Sequence, residues 1–166
     1  MEKVRVFTET FFQGSFGNGC GEYYIVLECT DRKGELHTGE KYARHMGKKK
    51  NEVELMSLIE TLKSFNRKCQ IELHMRKSFV SETIRAGRYL EWQRNNWKNK
   101  KGGDIKNSAL WQQYIELSEG HCITVATENE TEYSGAMRLQ MQVWLKSGRE
   151  SGRIIIIVSE EREEIR

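Results

Sequence analysis

Between Lys50 and Phe65 the chain reads KNEVELMSLIETLKSF, and its apolar residues Val53, Leu55, Met56, Leu58, Ile59 and Leu62 recur at the spacing that lays one broad stripe along a helix. Neither Gly nor Pro interrupts it, so the pattern predicts a core helix around which the other elements are arranged. Upstream, Val4, Val6 and Phe7 make Lys3–Glu9 a strand, and Gly14, Gly17, Gly19 and Gly21 then mark a loop that needs positive φ or close backbone approach. Glu22–Cys29 reads as a second strand, turned by Asp31-Arg32-Lys33-Gly34 into a third across Leu36–Ala43, which gives an antiparallel meander. A basic loop, Arg44–Lys50, leads into the core helix.

Downstream of the helix, Ile71, Leu73 and Met75 alternate with Glu72 and His74 in a fourth strand, Cys69–Met75, and strand to helix to strand implies a parallel crossover. Ser78–Arg94 is predicted helical in two pieces broken near Gly87. Asn107 or Ser108 can N-cap a helix through Leu117, and His121–Thr127 is a fifth strand. Thr131–Lys146 spaces Ala136, Met137, Met141, Val143, Trp144 and Leu145 as an amphipathic helix, and Arg153–Ser159 carries a late strand of four isoleucines and a valine. An apolar strand of that kind must be paired, either on the chain's own sheet or across a homodimer or protein partner. The order predicts a mixed α/β sheet in one domain over residues 1–159, followed by a charged tail, 160–166, that is expected to fray.

Composition narrows this picture without redirecting it. A length of 166 residues suits one domain. The N-terminal MEKVRVF lacks a basic region followed by a long apolar core, and no apolar run approaches the roughly 18 residues of a membrane span, so a cytoplasmic protein with no membrane partner is expected. Cys20, Cys29, Cys69 and Cys122 have no C-x-x-C spacing and suit free buried thiols; His37, His45, His74 and His121 show no ligand spacing either.

Charge is weak in total, at +3, but uneven in distribution. Between Arg85 and Lys106 stand Arg85, Arg88, Arg94, Lys98, Lys100, Lys101 and Lys106 against only Glu91 and Asp104, with Trp92 and Trp97 interleaved. Such a stretch can neutralise phosphates and release counterions, the main source of sequence-independent affinity for nucleic acid, although a lysine run is also compatible with simple solvation. Arg44, His45, Lys48, Lys49 and Lys50 form a second cluster just before Asn51. Trp92, Trp97 and Trp111 are read as packing residues. Glu54, near the first turn of the core helix, meets the positive end of the helix dipole.

Set on this order of elements, certain residues make the chain resemble ribonuclease H. Phe7-Thr8-Glu9 stands where that family opens with F-T-D-G-S, and a glycine-rich loop follows. Asn51-Glu52-Val53-Glu54-Leu55 matches its N-x-x-E-L, while Trp97-Lys98 and Lys106-Asn107-Ser108-Ala109-Leu110-Trp111 match its basic protrusion and the helix after it. The resemblance runs from about Val4 to Thr127 and implies a five-stranded mixed sheet with flanking helices, the late strand being an addition. It implies that Asn51 and the glycine-loop amides touch the minor groove of an RNA/DNA hybrid, with Arg94, Lys98, Lys100, Lys101 and Lys106 as further nucleic-acid contacts.

The family's chemistry is matched less well. Its members use four carboxylates to hold two magnesium ions roughly 4 Å apart for cleavage of the RNA strand. The resemblance places Glu9 and Glu54 at two of these positions, but Arg76 at the third and Arg138 near the fourth, where the family's G-H-x-G loop is replaced by Glu128-Asn129-Glu130-Thr131-Glu132. Two acids exchanged for arginines remove ligands and repel metal, so no cofactor is expected and Glu9 and Glu54 read as vestigial, with Arg76 ion-paired to one of them. The expectation is a hybrid- or duplex-binding protein without normal two-metal cleavage. Two alternatives stand beside it. One is an active enzyme with an altered carboxylate set, in which Glu9, Glu54 and Glu128 hold magnesium or manganese with Glu130 or Glu132 as further candidates; the other is a protein-interaction module of a nucleic-acid-processing complex.

Overall fold

The computed structural model describes residues 1–14 and 19–146, together with the backbone of Ile155–Val158. Three long strands, β1 (Glu2–Gln13), β2 (Cys20–Thr30) and β3 (Leu36–Met46), form the expected meander. Helix α1 (Lys50–Lys63) crosses over to β4 (Cys69–Met75), followed by α2 (Phe79–Ala86), α3 (Arg88–Arg94), α4 (Ser108–Ser118), β5 (Cys122–Thr127), α5 (Ser134–Lys146) and β6 (Ile155–Val158). The sheet order is β5-β4-β1-β2-β3-β6. β4 runs parallel to β1 and to β5, and the remaining neighbours are antiparallel. β6 pairs its backbone with the outer edge of β3, from Gly39 opposite Val158 to Tyr42 opposite Ile155, so the late strand lies on the chain's own sheet. Gly17, the flanks of the late strand and the 160–166 tail lie outside the described residues. Among the described residues no helix is long and apolar enough to cross a membrane.

Because successive strand residues point to opposite faces, β1 can bury both Val6 and Phe7, and the sheet is covered on two sides. On one side Val4, Val6, Tyr23, Ile25, Ile71 and Leu73 pack against the apolar stripe of α1 and against Trp111 and Tyr114 of α4. On the other, Phe7, Tyr24 and Val26 meet Met137 and Met141 of α5. Ser57 and Thr61 sit within the buried stripe of α1 and are satisfied locally, donating to the carbonyls of Glu54 at 2.6 Å and Ser57 at 2.8 Å. Tyr89 stacks on Trp111 and Trp92 meets it edge-on, which places two of the three predicted packing tryptophans in one aromatic cluster, with Trp97 half-buried beside it.

Several boundaries depart from the sequence reading. β1 extends beyond Glu9 to Gln13 and β3 absorbs Arg44, His45 and Met46, because long antiparallel pairing continues through residues whose composition reads as loop. Gly87 ends α2 with φ 66, as its missing Cβ allows. Asn107 precedes α4 at φ 60 and makes no side-chain cap, so the predicted Asn107 N-cap does not form. All four cysteines are free, yet only Cys69 is buried and Cys122 is exposed, since β5 is the edge strand next to solvent.

Gly21 explains how α1 comes to lie where it does. It sits inside β2, not in the loop, and a Cβ built there would fall 2.3 Å from Val53 Cγ2. The helix therefore packs directly on the strand's backbone, with Glu54 one residue beyond Val53 and bonded to Ser78, past the end of β4. Replacing Gly21 with Ala should displace α1 or strain the strand and destabilise the protein by about 1–3 kcal/mol, the usual cost of overpacking a core. Urea unfolding of the variant checks this, and an unchanged midpoint would contradict the close packing.

Candidate active-site region

Parallel register builds the site. Phe7 stands opposite His74 in the β1–β4 pair, and two further residues along each strand bring Glu9 level with Arg76, just past the end of β4. Glu9 is only 5% exposed, and a buried carboxylate needs a partner. Arg76 supplies it in two parallel contacts, Nε to Oε2 at 3.1 Å and Nη2 to Oε1 at 3.1 Å. Sequence reasoning left the partner of Arg76 open between Glu9 and Glu54; the structure assigns it to Glu9.

Arg138, on the first turns of α5, approaches the same carboxylate from the other side. Its Nη1 lies 3.7 Å from Glu9 Oε1, while its Nη2 donates to Glu130, 2.8 Å from Oε1 and 2.9 Å from Oε2. Glu130 Oε1 in turn stands 3.8 Å from Arg76 Nη2. Glu9, Arg76, Glu130 and Arg138 thus form a closed ring of alternating charge that ties β1, the end of β4 and α5 together. The bond from Arg138 holds the Glu130 carboxyl below its ordinary range. Arg76, Glu130 and Arg138 are each more than a third exposed, so solvent screens most of the attraction and the ring is worth far less than four buried pairs would be.

Glu54 takes no part in that ring. It is 4% exposed and accepts a hydrogen bond from the Ser78 hydroxyl, while its Oε2 is buried without a hydrogen-bond partner among the described residues. Burial pushes its carboxyl up from the ordinary value, opposed by the Ser78 bond and by Lys50. Ser78 is also the N-cap of α2, accepting from Ser81 N–H at 3.0 Å. Sequence reasoning missed this serine as the partner of Glu54, since 24 residues separate the two.

Glu128 and Glu132, both weighed as possible metal ligands, are committed elsewhere. Glu128 lies 3.2 Å from His74 Nδ1, in a ring stacked on Phe7, and Glu132 accepts from Arg5 at 2.8 Å. Glu130 is exposed but closes the ion-pair ring. A small cavity of about 220 Å³ beside Glu9, Arg76 and Arg138 is also lined by Glu22, a wholly buried carboxylate that sequence reasoning missed. Burial pushes Glu22 up, with Arg44 and Tyr42 opposing.

The two-magnesium site implied by the resemblance does not fit these residues. Hard divalent ions need several free carboxylate oxygens converging on one point. Here both oxygens of Glu9 are bound by one guanidinium, a second guanidinium stands beside them, and Glu54 and Glu128 are bonded to Ser78 and His74. Asp31, Glu35 and His37 do bring three possible ligand atoms within 4.8 Å of one another, contrary to the expectation for His37. That group belongs to the β2–β3 turn. Asp31 lies seven positions beyond Tyr24, the neighbour of Glu9, about 23 Å along the direction of β2. Asp31 accepts there from the backbone of Lys33 and Glu35 and from His37, holding the turn closed.

The candidate nucleic-acid residues lie on two segments of the chain. Asn51 is half-buried in the first turn of α1. Arg94 ends α3, and Lys98, Lys100, Lys101 and Lys106 follow on a loop ordered by Asn99, whose side-chain oxygen accepts from Lys101 and Gly103 N–H at 2.9 Å each. Lys98 is paired with Asp104 across this loop, whereas Arg94, Lys100, Lys101 and Lys106 are exposed and make no ion pair among the described residues. The second basic cluster shrinks to Lys48, Lys49 and Lys50. Arg44 is turned to Glu22 and Cys20, and His45 stacks on Tyr23.

Comparison with known proteins agrees with this geometry. The sequence model of the RNase H family matches residues 2–127. The chain belongs to the ribonuclease H family. It is 31% identical to ribonuclease HI of Helicobacter pylori over 124 residues, 74% of this chain and 77% of that one. With ribonuclease H of Helicobacter acinonychis it shares 30% identity over 156 residues, 89% of this chain and 99% of the relative. Among solved structures, LC9-RNase H1, described as a type 1 RNase H with the type 2 active-site motif, superimposes with a TM-score of 0.76 at 16% identity, covering 99% of this chain and 86% of the other. A foamy viral protease–reverse transcriptase solved with an RNA/DNA hybrid gives 0.65 at 12% identity over 82% of this chain and 18% of that one. The ribonuclease H fold expected from the resemblance is thus the fold observed, with β6 as a sixth strand.

The environment of Glu54 predicts a pH effect. Because its folded pKa is raised, the native state binds more protons than the unfolded chain, so this residue's contribution to stability falls as pH rises from the ordinary carboxylate value through the raised one. Glu54→Gln should therefore gain stability relative to the unmodified protein between about pH 4 and pH 7. Urea titrations of both proteins at the two pH values test it; parallel changes would mean that Glu54 is not destabilised when charged.

Proposed function

We propose that this ribonuclease H family protein binds an RNA/DNA hybrid or another nucleic-acid duplex and does not perform two-metal cleavage. One observation carries the reading. Both oxygens of Glu9 are taken by Arg76, with Arg138 beside them, where the family's chemistry requires free carboxylates. Binding is supported by the exposed cations Arg94, Lys100, Lys101 and Lys106 on one ordered protrusion and by Lys48, Lys49 and Lys50 next to Asn51. Related folds in foamy viral reverse transcriptase were solved with an RNA/DNA hybrid and with double-stranded DNA, which supports a duplex as the ligand class. A cytoplasmic location belongs to the same proposal.

Hybrid binding and hybrid cleavage should be measured side by side with magnesium and with manganese. Binding without cleavage is expected, and Lys100→Ala and Lys101→Ala should each flatten the salt dependence by about 0.9 if they contact phosphate. Cleavage by the unmodified protein that Glu54→Gln abolishes would instead establish the altered-carboxylate enzyme. Absence of binding to any duplex at low salt would favour a protein-interaction module.

A repair experiment tests why the site is silent. Glu9→Asp, Arg76→Asp and Arg138→Asp together should restore magnesium affinity read by calorimetry, and no single change should suffice, because one remaining guanidinium still opposes a divalent ion. A folded triple variant that binds no magnesium would show that the arginines are not what excludes the metal.

A further inference from the structure

The member of the ion-pair ring that stands out is Glu130. It belongs to no helix or strand, and its side chain is 63% exposed, yet one carboxylate links two arginines whose own side chains are 39% and 41% exposed. Glu9, by contrast, is 6% exposed and fixed on β1 by the two-contact grip of Arg76. One partner of the arginines is therefore built into the sheet, and the other is held by a surface turn at 2.8 and 3.8 Å from the two guanidiniums. Arg138 in addition has its Nη1 without a hydrogen-bond partner among the described residues, 3.7 Å from Glu9.

We propose that the Glu130 carboxylate occupies an anion seat between Arg76 and Arg138, and that a phosphodiester oxyanion of the bound duplex takes this seat when Glu130 swings out. A single oxyanion reached by two guanidiniums is how arginines recognise phosphate. Charge matches as well. With Glu130 removed, Arg76, Arg138 and Glu9 carry one net positive charge, which is the complement of one backbone phosphate. Displacement is cheap because solvent screens an exposed pair of this kind and leaves it little net attraction. The turn that displaced the family's loop thus acts as an internal competitor, and the arginines that exclude metal become the groups that hold the backbone. The duplex part rests on the proposed function above; the anion seat itself does not.

Two measurements keep the two ideas separate. In the first, hybrid affinity is measured for the full chain and for Glu130→Gln, with Glu132→Gln as the control, since it makes the same charge change on the same turn without touching either arginine of the ring. Glu130→Gln should bind about three- to tenfold tighter than the control. Arg138→Gln should bind more weakly with a salt slope reduced by about 0.9, and the double variant Glu130→Gln/Arg138→Gln should lose the gain. Equal gains in Glu130→Gln and the control would overturn the proposal while leaving duplex binding intact. In the second, inorganic phosphate is titrated while the Nε–Hε NMR signals of Arg76 and Arg138 are followed. Saturable shifts at lower phosphate in Glu130→Gln than in the unmodified protein support the seat even if no duplex binds, and would then identify free phosphate as its ligand. No shift in Glu130→Gln would refute it.

Discussion

The register of the parallel β1–β4 pair is the constraint on which the rest of this site depends. With Phe7 opposite His74, Glu9 falls level with Arg76 on the same side of the sheet, and the two side chains meet in a two-contact ion pair. A slip of one residue would turn Arg76 to the opposite face, among the apolar side chains under α1, and leave Glu9 buried without a partner. The register is held from both faces. Val4, Val6, Ile71 and Leu73 are locked beneath α1, while Phe7 is caught between the His74 ring and the methionines of α5.

Given that register, the arginines beside Glu9 do more than neutralise one carboxylate. A site built from converging carboxylates is self-repulsive until cations fill it, and the fold must hold it together by other means. Here the cations are part of the chain. The ring through Glu9, Arg76, Glu130 and Arg138 neutralises its own charges and bridges β1, β4 and α5. Glu54 has followed a separate course. Its carboxyl points to the Ser78 cap of α2, in surroundings that favour its neutral form.

The basic protrusion and the ring differ in how they can meet a partner. The protrusion offers long, solvated cations on a loop fixed by Asn99 and anchored through Trp97, suited to backbone contact without sequence readout. The ring offers planar guanidiniums already oriented by a buried carboxylate, so less conformational freedom is lost when an oxyanion arrives.

Read by itself, the sequence determined the order of elements, the buried stripe of α1, the break at Gly87 and the pairing of Arg76 with a buried acid. These follow from local periodicity, from the glycine's freedom and from the requirement that a buried charge be neutralised. It also marked Glu9, Glu54, Arg76 and Arg138 through the family resemblance. Only the tertiary structure decided which acid Arg76 takes, that Ser78 serves Glu54, that Gly21 lies within β2 under Val53, that Arg44 turns inward to Glu22, and that Glu130 closes a ring with two arginines. Each of these joins residues from 22 to 67 positions apart, except the last link, Glu130 to Arg138. Such partners are chosen by strand register and helix placement, and a one-dimensional pattern of polar and apolar residues carries no information about distance between its own distant members.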